Sequence, residues 1–293
     1  MKILITGGNG QLGNELKDIL AVGKSEIGEI PDVYKNSHVT SIDIEDVDLS
    51  DADAAEIFFA DKTFDIIINC AAMTNVDACE SDPDSAMKGN ALAPRNLAIF
   101  AGRVGAKILH VSTDYVFSGD ATEPYSEWTL PAPNTAYGKS KLLGERYVTE
   151  AQPKSFIVRT AWLYGRQGKN FVKTMISLSE NHDSIKVVSD QFGNPTNAND
   201  LAHHILKIAA TNEFGIYHCT GKGICSWYDF ASEIIGLSGN DCKVNPCTTE
   251  EYGAPAPRPA YSAMEHLMLS VTVGDEMRDW KEALRTYMDA LRG

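Results

Sequence analysis

The chain has 293 residues, of which 43% are hydrophobic and 23% charged, so it can bury a substantial core and is not expected to be disordered. Its 40 Asp and Glu outnumber its 26 Lys and Arg, which gives a formal net charge of -14. This excess of negative charge disfavours a protein that binds nucleic acid or a membrane surface, because both partners require a positive face. It does not exclude a small phosphorylated ligand, which needs only local cations and backbone N–H groups.

Targeting and metal-binding patterns are weak in this sequence. The longest apolar runs fall short of the roughly 18 residues of a membrane span, and the apolar stretch after Met1 is too short for a secretory signal. We therefore expect a cytoplasmic protein. The six cysteines form no CxxC pair and do not lie at zinc spacing with the seven histidines, so we expect free thiols and no metal site.

Short apolar runs and helical patterns alternate through the first half of the chain. In chain order they predict a strand over 2–6, a helix carrying Leu12, Leu16, Ile19 and Leu20, strands over 39–44 and 65–70, a helix carrying Ala93, Leu97, Phe100 and Val104, a strand over 107–112, a helix over 136–150 and a strand over 155–159. This alternation predicts an α/β fold with a Rossmann-type, doubly wound parallel sheet and a smaller mixed α/β C-terminal lobe. We expect residues 1–163 to form the cofactor domain, with about 185–220 returning to it, and 164–293 to form mainly a substrate-binding lobe.

A glycine-rich loop follows the first predicted strand and precedes the first predicted helix. Gly7, Gly10 and Gly13 have the spacing GxxGxxG, in which the glycines allow a tight turn, close approach to a pyrophosphate and close helix–strand packing. The alternative is an ordinary strand–helix turn, but the strand–loop–helix context favours a dinucleotide site. The cofactor-binding prediction also includes the neighbouring loop residues Asn9, Gln11 and Leu12.

The spacing of this loop resembles the short-chain dehydrogenase/reductase superfamily, particularly its extended, sugar-modifying branch. Asp43, at the end of the second strand, can hold a ribose hydroxyl, which favours NAD. Asp48 and Leu49 resemble the adenine-binding pair of that branch, and Ala71 and Ala72, after the third strand, are also predicted to contact the cofactor. No basic residue immediately follows Asp43 to hold a 2′-phosphate, and the choice between NADH and NADPH stays open.

A Tyr–Lys pair opens the helix predicted over 136–150. Tyr137 and Lys141 are four residues apart and therefore share a helix face, so we expect the ammonium to lower the pKa of the phenol, which can then donate a proton to a developing alkoxide. Tyr137 and Lys141 are also predicted to bind the cofactor, and Lys141 can hydrogen-bond the nicotinamide ribose. Thr113, at the end of the preceding strand, supplies a hydroxyl that can orient a carbonyl group. An incidental surface pair is the alternative, but the order of glycine loop, Thr and YxxxK favours an active site.

Six longer runs resemble the dTDP-4-dehydrorhamnose reductase family across most of the chain. They are Asn69–Glu80, Val111–Gly119, Arg159–Gly165, Asn170–Lys173, Val187–Thr196 and Arg258–Ser262. The resemblance implies a catalytic trio of Thr113, Tyr137 and Lys141, and it implies a sugar site formed by Thr74, Val76, Tyr115 and Trp162. The two aromatic residues can instead be ordinary core residues, and Arg258 is either a diphosphate clamp or a solvated charge.

The sequence also departs from this family. Some members bind magnesium between subunits through acidic residues; Glu15 stands at one such position, but Asn197–Asp200 does not clearly reproduce the others, so no metal is expected. Residues 262–269 lack the Asp and Lys that usually follow Ser262, which affects local substrate contacts.

The resemblance implies NADPH- or NADH-dependent reduction of the C4 keto group of dTDP-4-dehydrorhamnose to dTDP-L-rhamnose. This product is a precursor of surface polysaccharide. A homodimer is also consistent with the resemblance. A 4,6-dehydratase activity agrees less well with the sequence. Dehydratases of this branch carry Glu after the Thr-Asp pair as an acid/base for elimination, whereas Tyr115 follows Thr113 and Asp114 here. A nucleotide-sugar 4-epimerase on the same scaffold is another alternative. A non-catalytic subunit resembling the β subunit of methionine adenosyltransferase is the alternative from a different class.

Overall fold

The computed structural model describes residues 1–292. The strands are β1 (Lys2–Thr6), β2 (His38–Ile42), β3 (Ile66–Asn69), β4 (Lys107–Thr113), β5 (Ser155–Thr160), β6 (Leu163–Tyr164), β7 (Ser184–Val188), β8 (Phe192–Gly193), β9 (Thr196–Asn197), β10 (Gly215–His218), β11 (Cys225–Ser226) and β12 (Lys243–Cys247). The helices are α1 (Gln11–Val22), α2 (Ala52–Phe59), α3 (Val76–Ser81), α4 (Pro83–Met87), α5 (Ala93–Val104), α6 (Ala136–Ala151), α7 (Phe171–Asn181), α8 (Ala198–Ala209), α9 (Trp227–Ser238), α10 (Thr249–Tyr252), α11 (Leu267–Thr272) and α12 (Trp280–Arg292). Within this described part of the chain, no helix is both long and apolar enough to cross a membrane.

Six strands form one parallel sheet in the order β10-β5-β4-β3-β1-β2. The chain runs from β1 outward to β2 and then crosses to β3 on the other side of β1. Such a reversal opens a crevice at the carboxyl ends of the two central strands, where ligands bind in open α/β sheets. The prediction of a doubly wound parallel sheet is confirmed.

Side chains of the central strands alternate between two apolar layers. Ile3 and Ile5 pack with α1 and α8 on one face of the sheet, whereas Leu4 packs with α2 and α5 on the other. All four residues of β3 are buried, as expected for a strand covered on both faces. This two-sided burial fixes the central strand ends that frame the site.

The second strand ends earlier than predicted. β2 stops at Ile42 rather than at residue 44 because the backbone N–H of Asp43 donates to the Asp46 carboxylate at 2.8 Å. The N–H of Asp46 in turn donates to the Asp43 carbonyl at 3.0 Å, which closes a turn. Asp43 therefore sits just beyond the strand, at the rim of the crevice.

The second half of the chain builds a separate apolar core from α7, α9, α12 and β7. Three two-stranded sheets lie in this half: β12 with β7 and β6 with β9, both parallel, and β11 with β8, antiparallel. Within the segment 185–220, β7 belongs to this second core, whereas α8 packs on α1 and β10 pairs with β5 in the main sheet. All six cysteines are free.

Candidate active site

A cavity of about 840 Å³ opens at the carboxyl ends of β1, β3 and β4. Thr6, Ala71 and Thr113 lie on the sheet side of its wall, and Trp162 and Trp227 lie on the side of the second core. The predicted site residues on its wall are Gly7, Gly10, Gln11, Leu12, Gly13, Asp43, Asp48, Leu49, Ala71, Ala72, Thr74, Val76, Thr113, Tyr115, Tyr137, Lys141 and Trp162. Asn9 and Arg258 are not among the residues that line it.

The glycine loop packs too tightly for side chains. Gly7 has a φ of 66°, and a Cβ there would lie 2.7 Å from the backbone nitrogen of Ala71. A Cβ on Gly13 would overlap the Gly7 carbonyl oxygen. The loop therefore exposes its backbone to the cavity, as required for close approach to a pyrophosphate.

The N-terminus of α1 opens onto this loop. Gly10 is the N-cap residue, and no side chain caps the first turn within the described structure. The free N–H groups and the helix dipole favour an anion at this point. The Gln11 side chain instead stabilises the cavity wall, because its amide oxygen accepts hydrogen bonds from the Gly165 N–H at 2.9 Å and the Asn170 amide at 3.0 Å.

Two carboxylates, those of Asp43 and Asp48, also line the cavity. Asp43 accepts a hydrogen bond from the backbone N–H of Asn9 at 3.0 Å, so Asn9 shapes the loop through Asp43 rather than lining the cavity. Asp48 accepts from the hydroxyl of Ser50 at 2.7 Å and from its N–H at 2.9 Å, and the hydroxyl contact is the larger cause of the lowered pKa of Asp48. Both carboxylates are therefore suited to accept hydroxyl or amino hydrogens of a nucleoside.

The predicted catalytic trio meets at the base of the cavity. Thr113 ends β4, and Thr135 caps α6 by accepting a hydrogen bond from Gly138, so that Tyr137 and Lys141 project from the first turns. The Lys141 ammonium donates to the Val111 carbonyl at 2.6 Å, which fixes it beneath the cavity floor. The three side chains thus surround one region of the cavity wall.

Burial sets the ionisation of Tyr137 and Lys141. It raises the pKa of Tyr137 above its usual value of about 10, although the Thr113 side chain acts in the opposite direction. The lowered phenol pKa expected from the Tyr–Lys spacing is therefore wrong for this structure, because burial of Tyr137, which packs with Cys79 and Ala86, is the largest influence on its pKa. Burial lowers the pKa of Lys141 to about 8, against the opposing effect of Glu145.

Asp114 is a buried carboxyl directly beside the trio. The Thr113 hydroxyl donates to its Oδ1 at 2.8 Å, and burial raises its pKa to about 6 despite that bond. The nearby Ser262 side chain also opposes this rise, although neither Asp114 Oδ2 nor the Ser262 hydroxyl completes a hydrogen bond. The Thr113 hydrogen is thus committed to Asp114 in this structure.

Aromatic rings form part of the cavity wall. Tyr115 contacts Tyr137 edge to face, with ring centroids 5.4 Å apart. Trp162 stacks on Trp227 at 3.5 Å and has a φ of 49°, a conformation that is strained for a bulky residue and that persists only where packing enforces it. Tyr115 and Trp162 therefore line the cavity and also pack against the buried apolar clusters behind it.

Arg258 forms an ion pair with Asp77, with the guanidinium nitrogen 2.8 Å from the carboxylate oxygen. The N–H of Ala256 donates to the same carboxylate at 3.0 Å, so the proline-rich loop is tied to α3 next to Val76.

Gln191 and Trp227 also line the cavity, although neither is predicted as a site residue from the sequence. Gln191 lies within the run Val187–Thr196 that resembles the reductase family, and this resemblance is a signal that could have identified it. Trp227 follows Ser226, whose capping box with Asp229 marks a helix start but says nothing about the direction of the indole. Its position depends on packing between distant segments.

The cavity wall fits a cofactor that brings its own hydrogen-bonding groups. The hydroxyls of Ser112 and Thr160 are buried without partners, and both residues line the cavity. Unpaired buried hydroxyls are costly, which favours a ligand that pairs with them. Among residues 1–292, no cluster of three His, Cys, Asp or Glu has metal-binding geometry, and Glu15 accepts a hydrogen bond from Asn199 at 3.0 Å.

Comparison with known proteins gives consistent results. A dTDP-4-dehydrorhamnose reductase of Clostridium acetobutylicum is 51% identical, the match covers 100% of both chains, and the TM-score is 0.94. A dTDP-4-dehydrorhamnose reductase of Bacillus anthracis, solved in complex with NADP, is 40% identical over 99% of both chains with a TM-score of 0.91. A spore coat polysaccharide biosynthesis protein of Bacillus subtilis is 41% identical over 98% of this chain and 96% of its own. The model of the RmlD substrate binding domain family matches residues 1–292, and the chain belongs to that family.

Proposed function

We propose that this protein reduces the C4 keto group of dTDP-4-dehydro-6-deoxy-L-mannose to dTDP-L-rhamnose, with NADPH or NADH as the reductant. The convergence of Thr113, Tyr137 and Lys141 on one cavity that also contains the glycine loop carries this proposal. The names of the reductases from Clostridium acetobutylicum and Bacillus anthracis support the same substrate, and the bound NADP of the latter supports the coenzyme. The relative from Bacillus subtilis supports a role in surface polysaccharide synthesis.

In this proposal the coenzyme contacts the loop residues Gly7 to Gly13 and the carboxylates of Asp43 and Asp48. When bound, it supplies the hydride for the carbonyl carbon. The open N-terminus of α1 holds the pyrophosphate, and Ala71 and Ala72 bring the backbone after β3 against the coenzyme. Ser112 and Thr160 offer their unpaired hydroxyls to polar groups of the ligands.

The trio divides the work at the carbonyl oxygen. Tyr137 donates its proton to the oxygen as negative charge develops there, and its raised pKa keeps it protonated at neutral pH. Thr113 turns its hydroxyl from Asp114 to the carbonyl oxygen and so orients it. Lys141, held by the Val111 carbonyl, supplies positive charge beneath the site.

Thr74, Val76, Tyr115 and Trp162 bind the deoxyhexose in this proposal. The sugar lies against the aromatic wall, while Arg258 exchanges its Asp77 partner for the diphosphate of the substrate. This exchange replaces one ion pair with another. The proline-rich loop, which the ion pair with Asp77 holds against α3 in the absence of substrate, then contacts the bound substrate through Arg258.

The test mixes purified protein with dTDP-4-dehydrorhamnose and NADPH or NADH and follows coenzyme absorbance together with sugar-nucleotide chromatography. We expect coenzyme oxidation with equimolar formation of dTDP-L-rhamnose. Tightly bound NAD with sugar interconversion but no coenzyme consumption would instead indicate a 4-epimerase. Co-purification with a synthetase without any turnover would indicate the regulatory-subunit alternative.

The homodimer and the cytoplasmic location stay predictions from the sequence. Light scattering during size-exclusion chromatography tests the first, because a dimer has twice the 31.9 kDa mass of the chain. Fractionation of cells that produce the protein tests the second.

A further inference from the structure

A row of buried polar side chains runs beneath the cavity, from the glycine loop to the catalytic lysine. Thr6, Asn69 and His110 are directly paired residues on the neighbouring strands β1, β3 and β4. The Thr6 hydroxyl donates to Asn69 Oδ1 at 2.6 Å, Asn69 Nδ2 lies 2.8 Å from His110 Nδ1, and His110 Nε2 lies 3.4 Å from Lys141 Nζ. All four side chains are at most 2% exposed, so solvent does not compete for these contacts.

A backbone N–H group determines which atoms donate and which accept along this row of hydrogen bonds. The N–H of Ala71 donates to Asn69 Oδ1 at 3.2 Å, and because a backbone N–H can only donate, this atom must be the amide oxygen. Asn69 therefore turns its NH₂ group toward His110 Nδ1, which must accept. A neutral imidazole carries one hydrogen, so that hydrogen lies on Nε2 and is directed at Lys141.

His110 stays neutral in this environment. Complete burial, with a smaller contribution from Lys141, lowers its pKa well below 6.5. Near neutral pH the ring therefore cannot carry a second hydrogen on Nδ1. The direction of the Asn69–His110 bond then determines the tautomer.

The charge state of Lys141 decides whether its contact with His110 is favourable. An ammonium directs hydrogens at the Nε2–H group and repels it, whereas a free amine offers a lone pair that accepts from it. The other titratable groups around Lys141 are Tyr137 and Glu145 on its own helix and Cys70 at the end of β3. Burial is the largest cause of the lowered pKa of Lys141, and Glu145 and Cys70 act in the opposite direction.

We propose that His110 is a positioning residue for the reduction: held as the Nε2–H tautomer by Asn69, it stabilises the amine form of Lys141. This inference rests on the proposed function, in which Tyr137 becomes a phenolate after giving its proton to the substrate oxygen. An N–H bond of the Lys141 ammonium then breaks and the O–H bond of Tyr137 re-forms. The resulting amine accepts from His110 Nε2–H and later regains a proton from solvent.

The first test reads the tautomer directly in the protein without substrate. Nitrogen NMR of the enzyme labelled in its histidines identifies the His110 signal by its loss in the His110→Asn variant. We expect a hydrogen on Nε2 and an unprotonated Nδ1 from pH 6 to 9. A hydrogen on Nδ1 would overturn the proposal, whether or not the protein reduces the sugar.

The second test compares two variants that distinguish the contact of His110 Nδ1 with Asn69 from the contact of His110 Nε2 with Lys141. His110→Asn keeps an acceptor for Asn69 but leaves no group facing Lys141, whereas His110→Gln extends an amide N–H toward Lys141. We expect the pKa of Lys141, followed through its labelled ε-carbon, to rise by about one unit in the Asn variant and to stay near the wild-type value in the Gln variant. The pH above which turnover falls should likewise rise in the Asn variant and stay near the wild-type value in the Gln variant.

Circular dichroism shows whether both variants fold, since this measurement does not depend on the charge of Lys141. An unchanged Lys141 pKa in the folded Asn variant, or equal rises in both variants, would refute the role of the Nε2–H group. If the tautomer and the Lys141 pKa values are as expected but the protein does not reduce the sugar, only the proposed function is refuted.

Discussion

At the residue scale, the proposed chemistry depends on a phenol that burial keeps protonated. Tyr137→Phe retains the ring and its contact with Tyr115 but removes the proton that the carbonyl oxygen receives. We expect turnover to fall by about 100-fold or more, a typical loss for a general acid, with coenzyme affinity nearly unchanged. Stopped-flow turnover and coenzyme titration measure the two quantities.

Tyr147→Phe is the matched control for this variant, because Tyr147 lies on the same helix but outside the cavity. It should retain wild-type turnover. Near-normal turnover in Tyr137→Phe would remove Tyr137 from the role of proton donor.

The buried carboxyl of Asp114 leads us to a second prediction, which concerns how the free energy of unfolding depends on pH. Its folded pKa of about 6 lies above the usual value of about 3.9, so the folded state binds this proton more tightly than the unfolded state between pH 4 and 6. The contribution of Asp114 to stability is therefore present at low pH and is lost as pH rises through 6. Asp114→Asn keeps an acceptor for Thr113 without the buried charge and should raise the free energy of unfolding by about 1–3 kcal/mol at pH 8.

Denaturant unfolding at pH 8 and pH 4 tests this expectation, since the gain should vanish at the lower pH. The exposed Asp183, replaced by Asn, serves as the control and should change stability little at either pH. An equal gain from Asp114→Asn at both pH values would mean that the buried charge is not its cause.

Local spacing accounts for the site residues that could be predicted. The glycine loop, Thr113, Tyr137 and Lys141 each follow from a strand end or a helix face that the sequence pattern defines, and all lie on the cavity wall. The raised pKa of Tyr137 and the stacked Trp227 could not be predicted in this way. Both result from packing between segments that are distant in the chain.

At the element scale, the junction between the glycine loop and α1 tolerates no side chain at Gly13. Gly13→Ala would force its methyl group against the backbone of Gly7 and Gly8, so α1 must move away from the loop. We expect a destabilisation of about 1–3 kcal/mol and a weaker affinity for the coenzyme. Thermal unfolding and coenzyme titration measure both effects.

Gly236→Ala is the control, because nothing lies within 4 Å of a Cβ at this position in α9. It should leave coenzyme affinity unchanged and stabilise the protein by up to about 1 kcal/mol through helix propensity. Equal coenzyme affinities for wild type and Gly13→Ala would contradict the close packing of the loop.

Elements with strong periodicity could be predicted, and elements without it could not. β1 has the expected bounds and α6 ends one residue later than expected, because apolar runs and helical spacing extend over five residues or more. The two-residue strands β6, β8, β9 and β11 have too few residues to show a period. They form because loops of the second half pair with one another across long distances in the chain.

At the scale of the whole molecule, negative charge must be overcome at the cavity itself. Lys141 is the one lysine or arginine on the described cavity wall, against the carboxyl groups of Asp43, Asp48 and Asp114. Together with the net charge of -14, this composition repels an anionic coenzyme at long range. Affinity must then come from backbone N–H groups at short range, such as those of the glycine loop.

We therefore expect the association rate of NADPH to rise as ionic strength increases from about 0.01 to 0.15 M, because salt screens the repulsion. Stopped-flow fluorescence measures this rate. A rate that falls with salt would show that local cations, rather than the net charge, dominate the approach.

The most direct measurement of the central claim is the transfer of deuterium to the sugar from NADPH or NADH that carries deuterium at both C4 positions of the nicotinamide. The protein is incubated with dTDP-4-dehydrorhamnose, and the product is analysed by mass spectrometry and NMR. The account predicts dTDP-L-rhamnose with one deuterium at C4 from wild-type enzyme and almost none from Tyr137→Phe over the same time. A product without deuterium at C4, or no reduced product with either coenzyme, would contradict it.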